Sequence, residues 1–271
     1  MPPGAETAAD AWETLLGPLR SAPERSAVLT DIDGTLAPIV ERAEDAAVPA
    51  AAREALAVLN RRYGLVGCVS GRQALEARAL VGLDELTYAG NHGLEILMPG
   101  AAEPEPDPAI VGREREAAEF LAGDTAELDL TGLRREDKGP IQALHWRGAS
   151  DETAAEARAH ELAVTAGQAG LEPRWGRKVL ELRPPGGGGK DAAVASLLAS
   201  DGVCGAVYAG DDRTDLDAFR RLRELRDGGD LEHAVCVGVL SHEAPSELAE
   251  ESDLTVSGPD GWLTLLQWLA G

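Results

Sequence analysis

The chain is poor in aromatic residues, which make up 4% of its 271 positions and include only two phenylalanines. Its interior must then be built from aliphatic side chains, and a hydrophobic content of 44% supplies enough of them. Basic residues are also scarce, 25 Lys and Arg against 47 Asp and Glu, for a formal net charge of −22. Such a surface repels nucleic acid and anionic membranes, so neither is expected as a partner. It repels anionic small molecules at long range as well, so any anionic ligand has to be held by local positive features. The three cysteines, Cys68, Cys204 and Cys236, lie in apolar, strand-like runs without CxxC spacing, a usage that predicts reduced structural thiols in a cytoplasmic protein. No apolar run approaches the roughly 18 residues of a membrane span. Glu6, Asp10 and Glu13 stand where a signal or transit peptide would be basic or apolar.

The acids concentrate at the ends of apolar segments. The run VLTDIDGTLAPI puts Asp31 and Asp33 two residues apart, directly after the apolar stretch Ala27 to Leu29 and ahead of Gly34 and Thr35. A strand that stops at an acid-rich turn presents its carboxylates at the carboxyl edge of a sheet, where open α/β folds bind ligands. One carboxylate there can attack phosphorus while the second carries a proton for the leaving oxygen, a division that suits Asp31 and Asp33. An Asp-rich turn with Gly34 at positive φ is the ordinary alternative. Leu65 to Val69 reads as a second strand, ending at Ser70-Gly71-Arg72 before a helix from Gln73 to Leu80. That turn offers an anion a hydroxyl, backbone N–H groups and a helix amino terminus, and Arg72 adds a positive charge. Lys190 follows Gly186 to Gly189 and opens an Ala/Leu-rich helix to about Ser200, so a cation stands at the mouth of a glycine loop. A third strand, Gly205 to Ala209, runs into GDDRTDLDAF, where Asp211, Asp212 and Asp215 crowd one turn. Like charges that close call for a hard cation, and oxygen-only ligands at a phosphate site favour Mg2+. Taken singly, Ser70 reads equally as a helix cap, Lys190 as a solvated surface lysine and the acidic cluster as a capped helix start.

The order of these pieces, Asp pair, Ser, Lys and Asp cluster, each behind an apolar strand, resembles the haloacid dehalogenase superfamily of phosphatases. Within it, GNHGLE (Gly90 to Glu95), EDKGPIQALHWR (Glu136 to Arg147), VLELRP (Val179 to Pro184), GDDRTDLDAF and the Leu-x-Pro-Ile tail of DIDGTLAPI together resemble the trehalose-6-phosphate phosphatase family, over about Ala27 to Trp262. The resemblance implies Mg2+-dependent hydrolysis of trehalose 6-phosphate to trehalose and phosphate, the last step of trehalose biosynthesis. It makes Asp31 the nucleophile that forms an aspartyl phosphate, Asp33 the general acid/base, and Ser70 and Lys190 the phosphate holders. It places Mg2+ on Asp31, the backbone carbonyl of Asp33 and Asp211, with Asp212 and Asp215 in support. A functional link to a trehalose-6-phosphate synthase goes with it. One departure stands beside Lys190: the family usually has Asn before this lysine and Gly after it, and here stand Gly189 and Asp191. A phosphatase for another glycosyl phosphate (sucrose phosphate, mannosyl- or glucosyl-phosphoglycerate), a phosphotransferase or mutase, and a non-catalytic sugar-phosphate sensor remain open as rivals.

Strand and helix alternate from Ala27 to Ala89, which predicts an α/β fold with a Rossmann-like parallel sheet covered on both faces. A helix over Thr7 to Leu19 precedes it, with Met1 to Ala5 loose. The Pro- and acid-rich stretch Pro99 to Pro108 breaks the alternation. Between it and about Pro185 the pattern becomes helix Val111 to Leu121, strand Ile141 to Arg147, helix Asp151 to Ala169 and strand Lys178 to Leu182. The expected organisation is a core of residues 1–108 and 186–271 with an α+β cap, 109–185, inserted. In the cap, alternation puts Ile141, Ala143, His145 and Arg147 on one face, and in the second strand sets Glu181 and Arg183 opposite the core-facing Leu180 and Leu182. Gly139-Pro140 is expected to break the register, leaving Glu136 and Lys138 in the preceding turn. Such a face is either solvated or a sugar-binding surface, and the family resemblance puts Glu136, Lys138, His145 and Glu181 where that family contacts its disaccharide. Asn91 and His92 follow a strand at the same sheet edge as the phosphate motifs, which makes them substrate candidates as well as ordinary turn residues.

Overall fold

The structure, a computed structural model, describes residues 8–40, 45–123, 128, 130–176, 178–199, 202–242 and 244–271. The expected loose segment Met1 to Ala5 lies outside the described residues. The chain divides into two compact units, Met1–Glu105 with Gly188–Gly271, and Pro106–Gly187, against expected boundaries at 108/109 and 185/186.

The first unit begins with α1 (Ala8–Ser21), β1 (Ser26–Thr30), α2 (Ala50–Asn60), β2 (Leu65–Val69), α3 (Ala74–Val81), β3 (Thr87–Gly90), β4 (Glu95–Leu97) and a two-residue strand, β5 (Glu105–Pro106). The second unit carries α4 (Glu116–Leu121), β6 (Arg134–Lys138), β7 (Ile141–His145), α5 (Glu152–Gln168), β8 (Glu172–Gly176) and β9 (Val179–Arg183). The chain returns to the first unit with α6 (Lys190–Leu198), β10 (Gly205–Gly210), α7 (Arg213–Asp227), β11 (His233–Leu240), α8 (Ser246–Glu250), β12 (Leu254–Ser257) and α9 (Gly258–Ala270).

The large sheet has the order β12-β11-β10-β1-β2-β3-β4-β5 and is parallel from β12 to β3. Strands covered on both faces need apolar side chains on both, which is why SAVLT and GAVYAG are buried at every position. Val28, Val66 and Val207 pack with Leu16, Leu56, Leu59 and Trp262 on one side. Leu29, Ala206, Tyr208 and Cys236 pack with Leu197, Phe219 and Leu222 on the other. Cys68 and Cys236 are buried, as the apolar runs around them suggest, but Cys204 lies just ahead of β10 and is half-buried beside Arg25. All three cysteines are free.

The second unit is a four-stranded antiparallel sheet, β6-β7-β9-β8, with one face packed on α4 and α5 through Leu144, Trp146, Leu162, Leu180 and Leu182. Here the structure corrects the expected turn before β7. Gly139, at φ +76°, and Pro140 make a two-residue hairpin that keeps the register, pairing Lys138 with Ile141 and Glu136 with Ala143. The strand RREDK carries five charges in a row and so lacks the alternation that marks a half-buried strand. The expected helix over Val111 to Leu121 is confined to α4, and β8 reads poorly because it holds Pro173 and Gly176, which is tolerated at a sheet edge.

Candidate active site

The strand order of the large sheet reverses direction at β1, which lies between β10 and β2. In open parallel sheets the loops part to opposite sides at such a point, and ligands bind at the carboxyl edge there. Asp31 sits immediately beyond β1, 5% exposed, and its N–H donates to Ala209 O at 2.8 Å. Gly34 then turns the chain at φ +90°, and a Cβ at this position would lie 2.1 Å from Asp211 Oδ2. The Asp211 carboxylate also accepts the Thr35 hydroxyl at 3.1 Å. Glycine at 34 is thus required twice, for its backbone and for the space the acid fills.

Ser70 is buried at the end of β2 and does not cap α3, whose cap position is Gln73. Its Oγ accepts the Arg72 N–H at 3.1 Å, which fixes the turn. Arg72 in turn closes a two-pronged ion pair on Asp33, Nε to Oδ2 and Nη2 to Oδ1, both at 2.7 Å. A fork of this kind is the strong form of the Arg–carboxylate bond, and it occupies both oxygens of Asp33. Asn91 and His92 follow β3 with φ of 51° and 56°, left-handed backbone that side-chain-bearing residues seldom adopt. The His92 N–H donates to Ser70 O and the Asn91 N–H to Arg72 O, so the two loops lock together.

Lys190 opens α6 and points inward, 3% exposed. Its ammonium donates to Asp31 Oδ1 at 2.8 Å and to Asp215 Oδ1 at 2.6 Å. Burial disfavours the lysine charge, but Asp215 and Asp31 outweigh it and hold the amine protonated. Asp215 Oδ1 also accepts the Tyr208 hydroxyl at 2.7 Å, and Oδ2 accepts the backbone N–H groups of Asp211 and Asp212 at 2.9 Å each. The Asp212 carboxylate caps α7, accepting from Thr214 N and Asp215 N. Burial works to raise its pKa, yet Lys190 and the capping bonds bring it below the usual carboxylate range. Burial pushes Asp31 upward against the pull of Lys190, and burial together with Asp215 and Asp212 pushes Asp211 up to about 7.

Asp31, Asp211 and Asp215 offer carboxylate oxygens within 4.8 Å of one another, all buried. Burial raises all three carboxyls, Asp215 and Asp211 add to the rise of Asp31, and such an all-oxygen donor set fits a hard divalent cation. Of the five residues expected around Mg2+, the structure brings these three carboxylates together, turns the Asp33 carboxylate to Arg72 and spends that of Asp212 on the helix cap.

In the second unit the register aligns Glu136, Ala143, Glu181 and Arg174 across four strands, on the face opposite the leucines. Lys138 pairs with Glu181 Oε1 at 3.2 Å, Arg183 with Glu181 Oε2, and His145 with Glu136 at 2.7 Å. Arg147 falls beyond the end of β7 and is exposed. Sequence reasoning overlooked Thr35 and Tyr208. The signal for Tyr208 was a hydroxyl inside the otherwise apolar run GAVYAG, a polar group that a buried strand has to satisfy.

The sequence model of the trehalose-phosphatase family matches residues 29–254. The chain belongs to that family. Among the curated relatives, probable trehalose-phosphate phosphatase 2 of Oryza sativa subsp. japonica is 32% identical over 83% of this chain, which spans 63% of that relative's length. The C-terminal domain of the C. albicans trehalose-6-phosphate phosphatase matches with a TM-score of 0.75 at 21% identity, over 94% of this chain and 95% of that domain. A haloacid dehalogenase-like hydrolase from Bacteroides thetaiotaomicron matches with a TM-score of 0.60 at 15% identity, over 90% of this chain and 99% of its own. These likenesses establish the haloacid dehalogenase fold. The trehalose-phosphatase match runs from Leu29, in β1, to Leu254, in β12, and so includes every residue of both clusters described above.

Proposed function

We propose that the protein is a Mg2+-dependent phosphomonoester hydrolase that converts trehalose 6-phosphate to trehalose and phosphate through an aspartyl phosphate on Asp31. The observation that carries this reading is the Lys190 ammonium seated on Asp31 at 2.8 Å, with Asp211 beside it, where the sheet order reverses. A nucleophile, a fixed cation for the phosphoryl oxygens and a carboxylate pair for a metal have no other common use in one crevice. The names of the curated relatives support the substrate.

Asp31 attacks phosphorus with a carboxylate oxygen, the bond from phosphorus to the sugar oxygen breaks, and Asp33 delivers a proton to that oxygen as the sugar leaves. Asp33, then a carboxylate, takes a proton from water while the water oxygen attacks phosphorus; phosphate departs and the Asp31 carboxylate is restored. Both oxygens of Asp33 accept from Arg72, so passing a proton in either half requires one prong of the fork to open. Lys190, with the ammonium hydrogen not spent on Asp31 and Asp215, and Ser70 hold the phosphoryl oxygens. Bound by Asp31, Asp211 and the Asp33 carbonyl, Mg2+ would offset the charge between nucleophile and phosphate.

Glu136, Lys138, His145 and Glu181 supply the carboxylates and cations that hydrogen-bond sugar hydroxyls well, and Arg72, Asn91 and His92 are assigned to substrate at the core. Arg147, outside the strand, has no part in this assignment. The same reading sets the enzyme in the cytoplasm, where three free cysteines stay reduced, and downstream of a trehalose-6-phosphate synthase.

The test is phosphate release from trehalose 6-phosphate, sucrose phosphate, mannosyl- and glucosyl-phosphoglycerate and p-nitrophenyl phosphate, each with Mg2+. Trehalose 6-phosphate should give the highest kcat/KM, and Asp31→Asn, which keeps the size and removes the attacking charge, should give no turnover. A higher kcat/KM on another glycosyl phosphate sinks the substrate assignment, and turnover near the parent rate by Asp31→Asn sinks the covalent mechanism.

A further inference from the structure

Tyr208 lies in β10, an interior strand of the large sheet between β11 and β1, and is fully buried. Its ring lies on the face covered by α6 and α7, edge-on to Phe219 with centroids 6.0 Å apart. Phenylalanine would serve that packing equally well, because a buried hydroxyl is unfavourable unless it is hydrogen-bonded. The hydroxyl reaches Asp215 Oδ1 at 2.7 Å. Asp215 is itself fully buried, with its carboxylate set against Gly210, where a Cβ would lie 2.1 Å from Asp215 Cγ. Four donors meet this carboxylate: Tyr208 and Lys190 on Oδ1, and the backbone N–H groups of Asp211 and Asp212 on Oδ2. A carboxylate has about four lone-pair sites, so Asp215 has none left for a cation.

We infer that Asp215 is the seat of Lys190 rather than a metal ligand, and that Tyr208 is a positioning residue that acts through it. The Lys190 ammonium hangs between two carboxylates, 2.6 Å from Asp215 and 2.8 Å from Asp31. What one carboxylate takes of its charge, the other loses. The Tyr208 hydroxyl offsets part of the Asp215 charge and so leaves more of the ammonium to Asp31 and to the phosphoryl oxygens that gather there. Without the hydroxyl, Asp215 draws the ammonium toward itself and away from the reacting centre. Two backbone N–H groups fix the other end of Asp215, so the pull falls on the lysine and not on the acid.

This inference rests on the phosphoryl-transfer reading of the core, and its test separates the two. Tyr208→Phe keeps the ring and deletes the hydroxyl; Phe219→Leu disturbs the same packing and deletes no polar group. Tyr208→Phe should lower kcat about tenfold, equivalent to about 1.4 kcal/mol, with KM within about twofold of the parent. Phe219→Leu should lower the melting temperature and leave kcat within about twofold. Calorimetric titration with Mg2+ should give Tyr208→Phe the dissociation constant of the parent. If Tyr208→Phe keeps the parent kcat and loses only melting temperature, as Phe219→Leu does, the hydroxyl is structural and the inference fails. If its Mg2+ affinity changes tenfold in either direction, Asp215 is a metal ligand and the inference fails as well. Measured on p-nitrophenyl phosphate, which needs only the phosphoryl chemistry, the comparison keeps its meaning even if trehalose 6-phosphate is not the substrate.

Discussion

Removing divalent metal should make this protein less stable as the pH rises from 5 to 7.5, the reverse of what an acidic chain with ion-paired carboxylates normally does. The reason is Asp211. Burial, then Asp215 and Asp212, raise its carboxyl from 3.8 in the unfolded chain to about 7 in the folded one. Between those two values the folded state keeps a proton that the unfolded state has lost, so the stability this group contributes is present below about pH 4 and is lost as the pH climbs through about 7. A shift of about three units, at ~1.36 kcal/mol per unit, sets an upper bound of about 4 kcal/mol. Burial raises Asp31 and Asp215 in the same direction. Asp212 is shifted the other way, but its window lies below pH 4 and leaves the range from 5 to 7.5 untouched.

The part of that shift between pH 5 and about 7 is about two units, or ~2.7 kcal/mol, and a chain of this size moves its melting temperature by roughly 2–4 °C per kcal/mol, so the EDTA-treated protein should melt about 5–10 °C lower at pH 7.5 than at pH 5. Saturating Mg2+ binds the ionised carboxylates and should raise the melting temperature far more at pH 7.5 than at pH 5. Asp211→Asn, which cannot ionise, should flatten much of the metal-free slope. A metal-free melting temperature that stays level or rises between pH 5 and 7.5 would refute the reading of the acidic cluster as a cation site kept under strain by its own charge.

Two further outcomes follow from the geometry. Gly34→Ala puts a methyl group where Asp211 Oδ2 now lies and forces an alanine to φ +90°, so it should weaken Mg2+ binding at least tenfold in a calorimetric titration and lower stability by about 1–2 kcal/mol from the backbone alone; a parent-like Mg2+ affinity would show that Asp211 does not hold the metal. Glu181→Ala should cut kcat/KM for trehalose 6-phosphate about tenfold while hydrolysis of p-nitrophenyl phosphate changes little; equal losses on both substrates would mean that Glu181 supports the fold of its sheet rather than the sugar.

The parallel sheet was legible because a strand buried on both faces must be apolar throughout, and Ala27 to Thr30, Leu65 to Val69 and Gly205 to Ala209 are close to that. The carboxylates were legible because they follow such strands in order with Ser70 and Lys190, since singly each also reads as a turn or a helix cap, which Asp212 is. β6 stayed hidden for the opposite reason: it is an edge strand, and RREDK owes its place to the Gly139-Pro140 hairpin and the partner strand rather than to its own alternation. Which acid does what was also out of reach. Asp212 and Asp215 are three residues apart in one motif, yet one caps a helix from the half-exposed side and the other is fully buried under Lys190. That difference arises from the direction each side chain takes at the first turn of α7, and composition and spacing do not encode it.

Gly189 and Asp191, on either side of Lys190, are placed by the turn that starts α6. Gly189 has φ +121°, and a Cβ there would lie 2.2 Å from Asp191 Oδ1. The restriction at 189 is this backbone, which glycine adopts without strain, since the exposed Asp191 side chain can turn aside. Asp191 stands exposed in the first turn of α6, where a carboxylate is favoured by the positive end of the helix dipole. Neighbours in sequence on a helix do not face each other, and Lys190 turns inward to Asp31 and Asp215. The added negative charge therefore faces solvent and the helix end, while the ammonium keeps both of its buried partners.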